Sequence, residues 1–184
     1  WNGDFVSVGW GGQGAGNFNP RGRAIELAQD VSFYRLAKED DSWPLRPRMD
    51  KDNPVNPDPL YPRNRGYQFK GYRLDKNGVP TFIYRTGEVE VEDTSVARVA
   101  EAIRDGLVRE IQFTAPKPET VYFRALTGRL QRLSEIEFVS NMVKLQVPEG
   151  TALLRGEGDK QELLLKLKLP KGKSGMQIRY ELLH

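Results

Sequence analysis

Residues 66–93 read GYQFKGYRLDKNGVPTFIYRTGEVEVED. Two apolar-rich runs flank the turn Asp75-Lys76-Asn77-Gly78, and a third run follows Thr86-Gly87. An Asn-Gly step between apolar runs is the strongest short-range hairpin signal a sequence carries. Thr81, Phe82, Ile83 and Tyr84 are the β-branched and aromatic types that suit a pleated surface. Glu88-Val89-Glu90-Val91-Glu92 alternates as a strand with one wet face does. The segment therefore predicts a three-stranded antiparallel meander, and with it an all-β fold.

The rest of the chain follows the same pattern. Phe5–Val8 reads as a short strand, followed by a glycine loop. Residues 23–37 hold two apolar runs split at Gln29-Asp30, both read as strands, with a helix possible for the first. Strands are expected at Leu107–Thr114, Thr120–Leu126, Ser134–Val139, Met142–Val147, Ala152–Gly156, Gln161–Leu169 and Met176–Leu183. Turn signals such as Pro116-Lys117-Pro118, Pro148-Glu149-Gly150 and Lys171-Gly172-Lys173 separate them. Short strands with this punctuation predict an antiparallel β-sandwich or barrel, and the sandwich is preferred. One short helix is expected at 94–104, where Val96, Val99, Ala100 and Ile103 sit at i, i+3, i+4 and i+7 behind Thr94 or Ser95 as a cap. Six of the twelve prolines fall between Pro44 and Pro62. Each removes a ladder donor and extends its predecessor, so 38–65 is expected to be a long irregular excursion. Its Trp43, Leu45, Leu60 and Tyr61 suggest that it is pinned to a surface. With no clear linker, 1–184 is read as one sandwich domain carrying that excursion.

Composition narrows the function. The chain has no cysteine, and its single histidine is His184. Disulfides, thiolate metal sites, a cysteine nucleophile and covalent haem attachment through CxxCH are excluded. The inventory is also poor for zinc, copper or haem ligation and for a histidine general base. Basic residues number 28 against 25 acidic, a net charge of +3. Clusters such as Arg46-Pro47-Arg48 are short, and no nucleic-acid partner is expected. No apolar run approaches the roughly 20 residues that span a bilayer, so no transmembrane segment is expected. The start at Trp1 rather than Met is read as that of a processed, excised or partial chain.

The recognisable motifs carry little chemistry. Gly9-Trp10-Gly11-Gly12-Gln13-Gly14 matches a dinucleotide fingerprint in form, but Ala15-Gly16-Asn17-Phe18-Asn19-Pro20 cannot supply the helix that the pyrophosphate requires. Asp50, Asp52, Asn53, Asn56 and Asp58 place oxygen ligands close together. They lack the EF-hand glycine and bidentate glutamate, and a solvated loop is the better reading. Glu88, Glu90 and Glu92 share a strand face, unlike the opposed carboxylates of a glycosidase. Trp1, Trp10, Trp43, Tyr61, Tyr67, Tyr72 and Tyr84 are read mostly as core or core-lid residues. Trp10 and Trp43, in loops, are the ones expected at the surface.

GYRLDKNGVPTFIY followed by VEVED resembles a segment of large extracytoplasmic proteins of planctomycetes, verrucomicrobia and related bacteria, of the haem-binding, c-type cytochrome CxxCH kind. The opening Trp1-Asn2-Gly3-Asp4-Phe5, the stretch Trp10-Gly11-Gly12-Gln13-Gly14-Ala15-Gly16, the run Arg109–Phe113 and the run Val121–Ala125 fit the same domain in the same order. The CxxCH motif itself is absent. The resemblance implies export to the periplasm or cell surface, no cofactor held in this chain, and haem in a separate domain or partner. The expectation is a non-catalytic binding or assembly module, an accessory subunit of a cytochrome-containing complex. Its contacts are expected through the glycine loop and the 38–65 excursion, at Trp10, Trp43, Arg46, Leu60 and Tyr61. The alternative is a carbohydrate-binding or carbohydrate-processing sandwich, which requires exposed aromatics on a sheet face and, for processing, a carboxylate pair.

Overall fold

The computed structural model describes residues 6–11, 15–20, 27–28, 30–49, 52, 55–100, 103–140 and 142–183. In chain order the first strands are β1 (Val6–Gly11), β2 (Ala15–Pro20), β3 (Phe33–Tyr34), β4 (Tyr67–Leu74), β5 (Pro80–Thr86), β6 (Val89–Ala100) and β7 (Ile103–Ala115). They are followed by β8 (Glu119–Thr127), β9 (Gln131–Arg132), β10 (Glu137–Val139), β11 (Val143–Gln146), β12 (Ala152–Arg155), β13 (Glu162–Leu169) and β14 (Gly172–Leu182). An eight-stranded sheet in the order β4-β5-β6-β7-β14-β11-β10-β9 packs on a four-stranded sheet in the order β12-β13-β8-β3. β1 and β2 form a separate antiparallel hairpin. The fold is an all-β sandwich, as the meander predicts. Among the described residues no helix is long and apolar enough to cross a membrane.

The core follows from alternation along the strands. Val89, Val91, Ile111, Phe113, Ile178, Tyr180, Val143 and Leu145 line the inner face of the large sheet. Phe33, Val121, Phe123, Leu163, Leu165, Leu167 and Leu169 oppose them from the small sheet. Phe33 lies edge-on to Phe113, with ring centroids 5.8 Å apart, and tilted against Phe123 at 5.0 Å. The meander takes the expected form. Asp75 accepts hydrogen bonds from the N–H groups of Asn77 and Val79, both 2.8 Å, and Gly78 takes φ +78°.

Three local expectations are corrected. The helix at 94–104 is strand: β6 runs through Ala100 and returns as β7, with Val99 opposite Arg104 and Ala100 opposite Ile103. Four of these eleven residues (Thr94, Val96, Val99 and Ile103) are β-branched. A ladder already laid down from Val89 gains a partner per residue, whereas an eleven-residue helix would need its own costly nucleus. The only helical turns among the described residues are 3-10 turns at Arg63–Arg65 and Gly158–Lys160. Second, Gly9 to Gly11 and Ala15-Gly16 are paired strand, not loop, a placement that glycine tolerates at some cost. Third, among the described residues of 27–37 only Phe33–Tyr34 is strand; Gln29 and residues 23–26, like Phe5, lie outside the described residues.

Candidate functional site

The Pro-rich excursion is a cover. On β8 and β13, Tyr122 and Leu164 point away from the main core, yet they are buried at 4% and 0% exposure. A second core lies over them, made with Val31, Leu36 and Trp43, with Tyr34, Tyr61, Tyr67 and Leu153 packed at its margin. Trp43 Nε1 donates to the Val31 carbonyl at 3.0 Å, and the Val31 N–H donates to Tyr61 Oη at 2.8 Å. The Arg155 guanidinium donates to the carbonyls of Glu39 and Asp41, and Lys166 Nζ meets Glu39 Oε1 at 2.6 Å. Arg124 and Arg155 share the Glu162 carboxylate, at 2.7 Å and 2.9 Å. These bonds hold the start of the excursion flat on the small sheet.

This distributes the expected contact residues unevenly. Trp43 is the main correction: at 5% exposure it is an anchor, not a surface residue, because its large apolar ring fills the layer over Leu164 while its N–H is satisfied by Val31. Tyr61 is half-buried, and Arg46 is exposed. Both line an open groove of about 530 Å³ with Asp30, Pro47, Met49 and Tyr67. Leu60 is 67% exposed. Trp10 lies in β1 opposite Gly16, with its side chain outside the described set. Asn56 and Asp58 serve their own loop, where Asn56 Oδ1 accepts the Asp58 N–H at 3.1 Å and Asp58 accepts from Asn64 at 2.9 Å. Asp50 and Asn53 lie outside the described residues. Among the described residues no three His, Cys, Asp or Glu side chains converge.

The surface that sequence reading missed begins where the groove ends. Tyr67 packs on Tyr84 with ring centroids 5.6 Å apart, Tyr84 on Phe69 at 5.7 Å, Phe69 on Phe82 at 6.5 Å, and Phe82 on Tyr72 at 6.2 Å. The first two rings of this row touch the core. Phe69, Tyr72, Leu74 and Phe82 are 54%, 61%, 59% and 37% exposed. Tyr72, expected in the core or its lid, is thus a surface residue. The whole row stands on the inner face of the large sheet, since Tyr84 is opposite Val91 and Phe82 is opposite Asp93. The small sheet ends at the two-residue β3, so nothing from it covers this end of the face.

A bulge makes the row possible. Tyr67 and Phe69 are odd-numbered, while Tyr72 and Leu74 are even, so in an uninterrupted strand they would point to opposite faces. The β4–β5 register skips Lys70: Phe69 is opposite Tyr84, and Gly71 is opposite Ile83. That extra residue brings all four apolar side chains to one face. Gly71 takes φ +129°, a conformation closed to other residues in practice. The change of parity across Lys70-Gly71 was a readable signal.

The acids divide between the two faces. Glu90 and Glu92 lie on the outer face, as alternation requires. Glu92 makes a bidentate pair with Arg73, both bonds 2.7 Å, and this hydrogen bonding holds its carboxyl below the usual range. Asp93 is on the opposite, inner face, 3% exposed, and is gripped by Arg109 Nε at 2.8 Å and 3.0 Å and by its Nη2. Burial works against the Arg109 charge, but the Asp93 hydrogen bonds and charge more than offset it and hold the guanidinium protonated. Arg109 also lies over the Phe123 ring at 4.9 Å. Burial pushes the phenols of Tyr67, Tyr84 and Tyr180 up from their ordinary value. With side chains 17% and 4% exposed, Arg109 and Asp93 form an ion pair enclosed within the sandwich.

Compared with known proteins, the chain matches no family model, no curated protein and no solved structure.

Proposed function

We propose that this chain is a non-catalytic binding module that docks on a protein partner through the uncovered aromatic face of β4 and β5. The observation that carries the reading is the row Phe69, Tyr72, Leu74 and Phe82, exposed by 37% to 61% and set on one face by a bulge. Contiguous exposed apolar surface of this kind marks interaction sites on soluble proteins, and aromatic anchors carry much of the binding energy at such sites. Arg46 and Tyr61 extend the surface through the groove that ends at Tyr67. The resemblance of the meander to extracytoplasmic c-type cytochrome proteins supports a partner of that class, with haem carried by the partner or by a separate domain. The module then acts at the periplasmic or cell-surface side as an accessory subunit.

The test is site-specific photo-crosslinking in cells of the source organism. A photoreactive phenylalanine analogue replaces Tyr72 in one strain and Gln177, on the outer face, in another. The expected adduct forms from position 72 alone and contains a CxxCH protein with a Soret band. Equal adducts from both positions, or none from 72, overturn the docking surface. A second reading, carbohydrate binding, is favoured by the spacing of the exposed rings of Phe69, Phe82 and Tyr72. Against it, Asp93, the carboxylate opposite Phe82, is already held by Arg109. An oligosaccharide array without binding removes it.

A further inference from the structure

The two packed sheets have four edges. Three are short: β3 and β9 have two residues each and β12 has four. Short edges are one way in which proteins avoid unwanted strand pairing. The fourth edge is β4, eight residues long, and among the described residues its only strand neighbour is β5. The Tyr67 N–H on its outer edge donates to the Pro62 carbonyl at 3.3 Å, and beyond it alternate N–H and C=O groups point away from β5.

The chemistry differs on the two sides of that edge. The inner side carries Phe69, Tyr72 and Leu74. The outer side carries Arg73, opposite Thr81 and bonded to Glu92, and toward the other end of the strand Gln68, opposite Arg85 on β5. Residues 63–76 hold five basic side chains (Arg63, Arg65, Lys70, Arg73 and Lys76) against one acidic, a net +4 where the whole chain carries +3. The one acid, Asp75, is committed to the N–H groups of the turn. A second copy of this edge would bring like charges together. A single-stranded nucleic acid would meet rings and Arg73 on opposite faces of the sheet, and so not both at once. An added β-strand presents alternate side chains to the two faces by its own period.

We infer that β4 takes up an extended segment of a partner protein by strand addition, with apolar residues of that segment on the aromatic row and acidic residues alternating with them on the outer side. The inference rests on the docking face proposed above and names its mode. Main-chain hydrogen bonds to β4 supply affinity, and the alternating side chains supply selectivity. The chain's own β6 shows the matching pattern, since Glu90 and Glu92 alternate with Val89 and Val91 where β6 pairs with β5.

The probe is a fluorescent peptide copying residues 88–94, EVEVEDT, with a second peptide in which lysine replaces each acid and an oligothymidine as controls. Fluorescence anisotropy is expected to show micromolar binding of the acidic peptide, at least about tenfold weaker binding of the lysine peptide, and the same loss in Tyr72→Glu. In the double variant Lys70→Glu, Lys76→Glu the preference reverses. The variants change exposed side chains, and circular dichroism checks that they fold. No binding of the acidic peptide at millimolar concentration, unchanged preference in the double variant, or tighter binding of the oligonucleotide overturns strand addition. A partner crosslinked from position 72 that the acidic peptide does not displace keeps the docking face and overturns the mode alone.

Discussion

Two stretches of one sheet face have opposite fates. Toward β7, the inner face of the large sheet carries Val89, Val91, Ile111 and Phe113, each 2% exposed or less beneath Phe33 and Phe123. Toward β4, the same face carries Phe69, Tyr72, Leu74 and Phe82, each more than a third exposed. Both sets are apolar and both point to the inner side of the sheet, the second by way of the bulge at Lys70. The difference lies in what sits above: the small sheet ends at β3, and the face continues. One stretch contributes stability, while the other contributes apolar surface that the isolated chain does not use.

Substitutions should therefore separate stability from docking. The largest loss is expected in the covered stretch. Asp93→Ala leaves Arg109 charged and unpaired in the interior, and urea unfolding should show about 3–5 kcal/mol of destabilisation. A loss below about 1 kcal/mol would mean that water reaches Arg109 and that the cover is not sealed. Next is Trp43→Ala, which empties the second core and orphans the Val31 carbonyl. It should cost about 3 kcal/mol and speed hydrogen exchange in 38–62 more than in β7.

The uncovered stretch should behave otherwise. Tyr72→Ser and Phe82→Ser are expected to move stability by no more than about 0.5 kcal/mol while abolishing docking. If either unfolds the protein, the row is core after all. The smallest effect belongs to Glu92→Gln on the wet face. Arg73 depresses the Glu92 pKa in the folded state, so any stability from the pair is present above the unfolded value, near 4.5, and is lost as pH falls through the lower folded value. Denaturation curves of this variant and the parent should differ slightly at pH 7 and coincide once Glu92 is protonated in both states.

The fold was legible because its signals are local. Asn77-Gly78 needs only its own turn, and Glu88 to Glu92 shows its wet face by alternation. The stretch at 94–104 was not legible in this way: Val96, Val99, Ala100 and Ile103 satisfy a helical spacing, and only the partner strand β7 decides against it. Trp43 failed for a related reason. A proline-rich neighbourhood reads as surface, and the layer that buries the ring is built by Tyr122 and Leu164, about 80 and 120 residues further along the chain. Those two apolar residues at outward strand positions were the available hint of a second cover. The aromatic row had a hint as well, in the parity change across Lys70-Gly71. Its exposure, however, depends on where β3 stops, which no residue of β4 records.

The most direct test is hydrogen exchange on the intact chain with and without saturating acidic peptide. Strand addition predicts slowed exchange at alternate amides of β4, between Tyr67 and Leu74, with β7 and β13 unchanged. Unaltered exchange along β4 while the peptide is bound would contradict it.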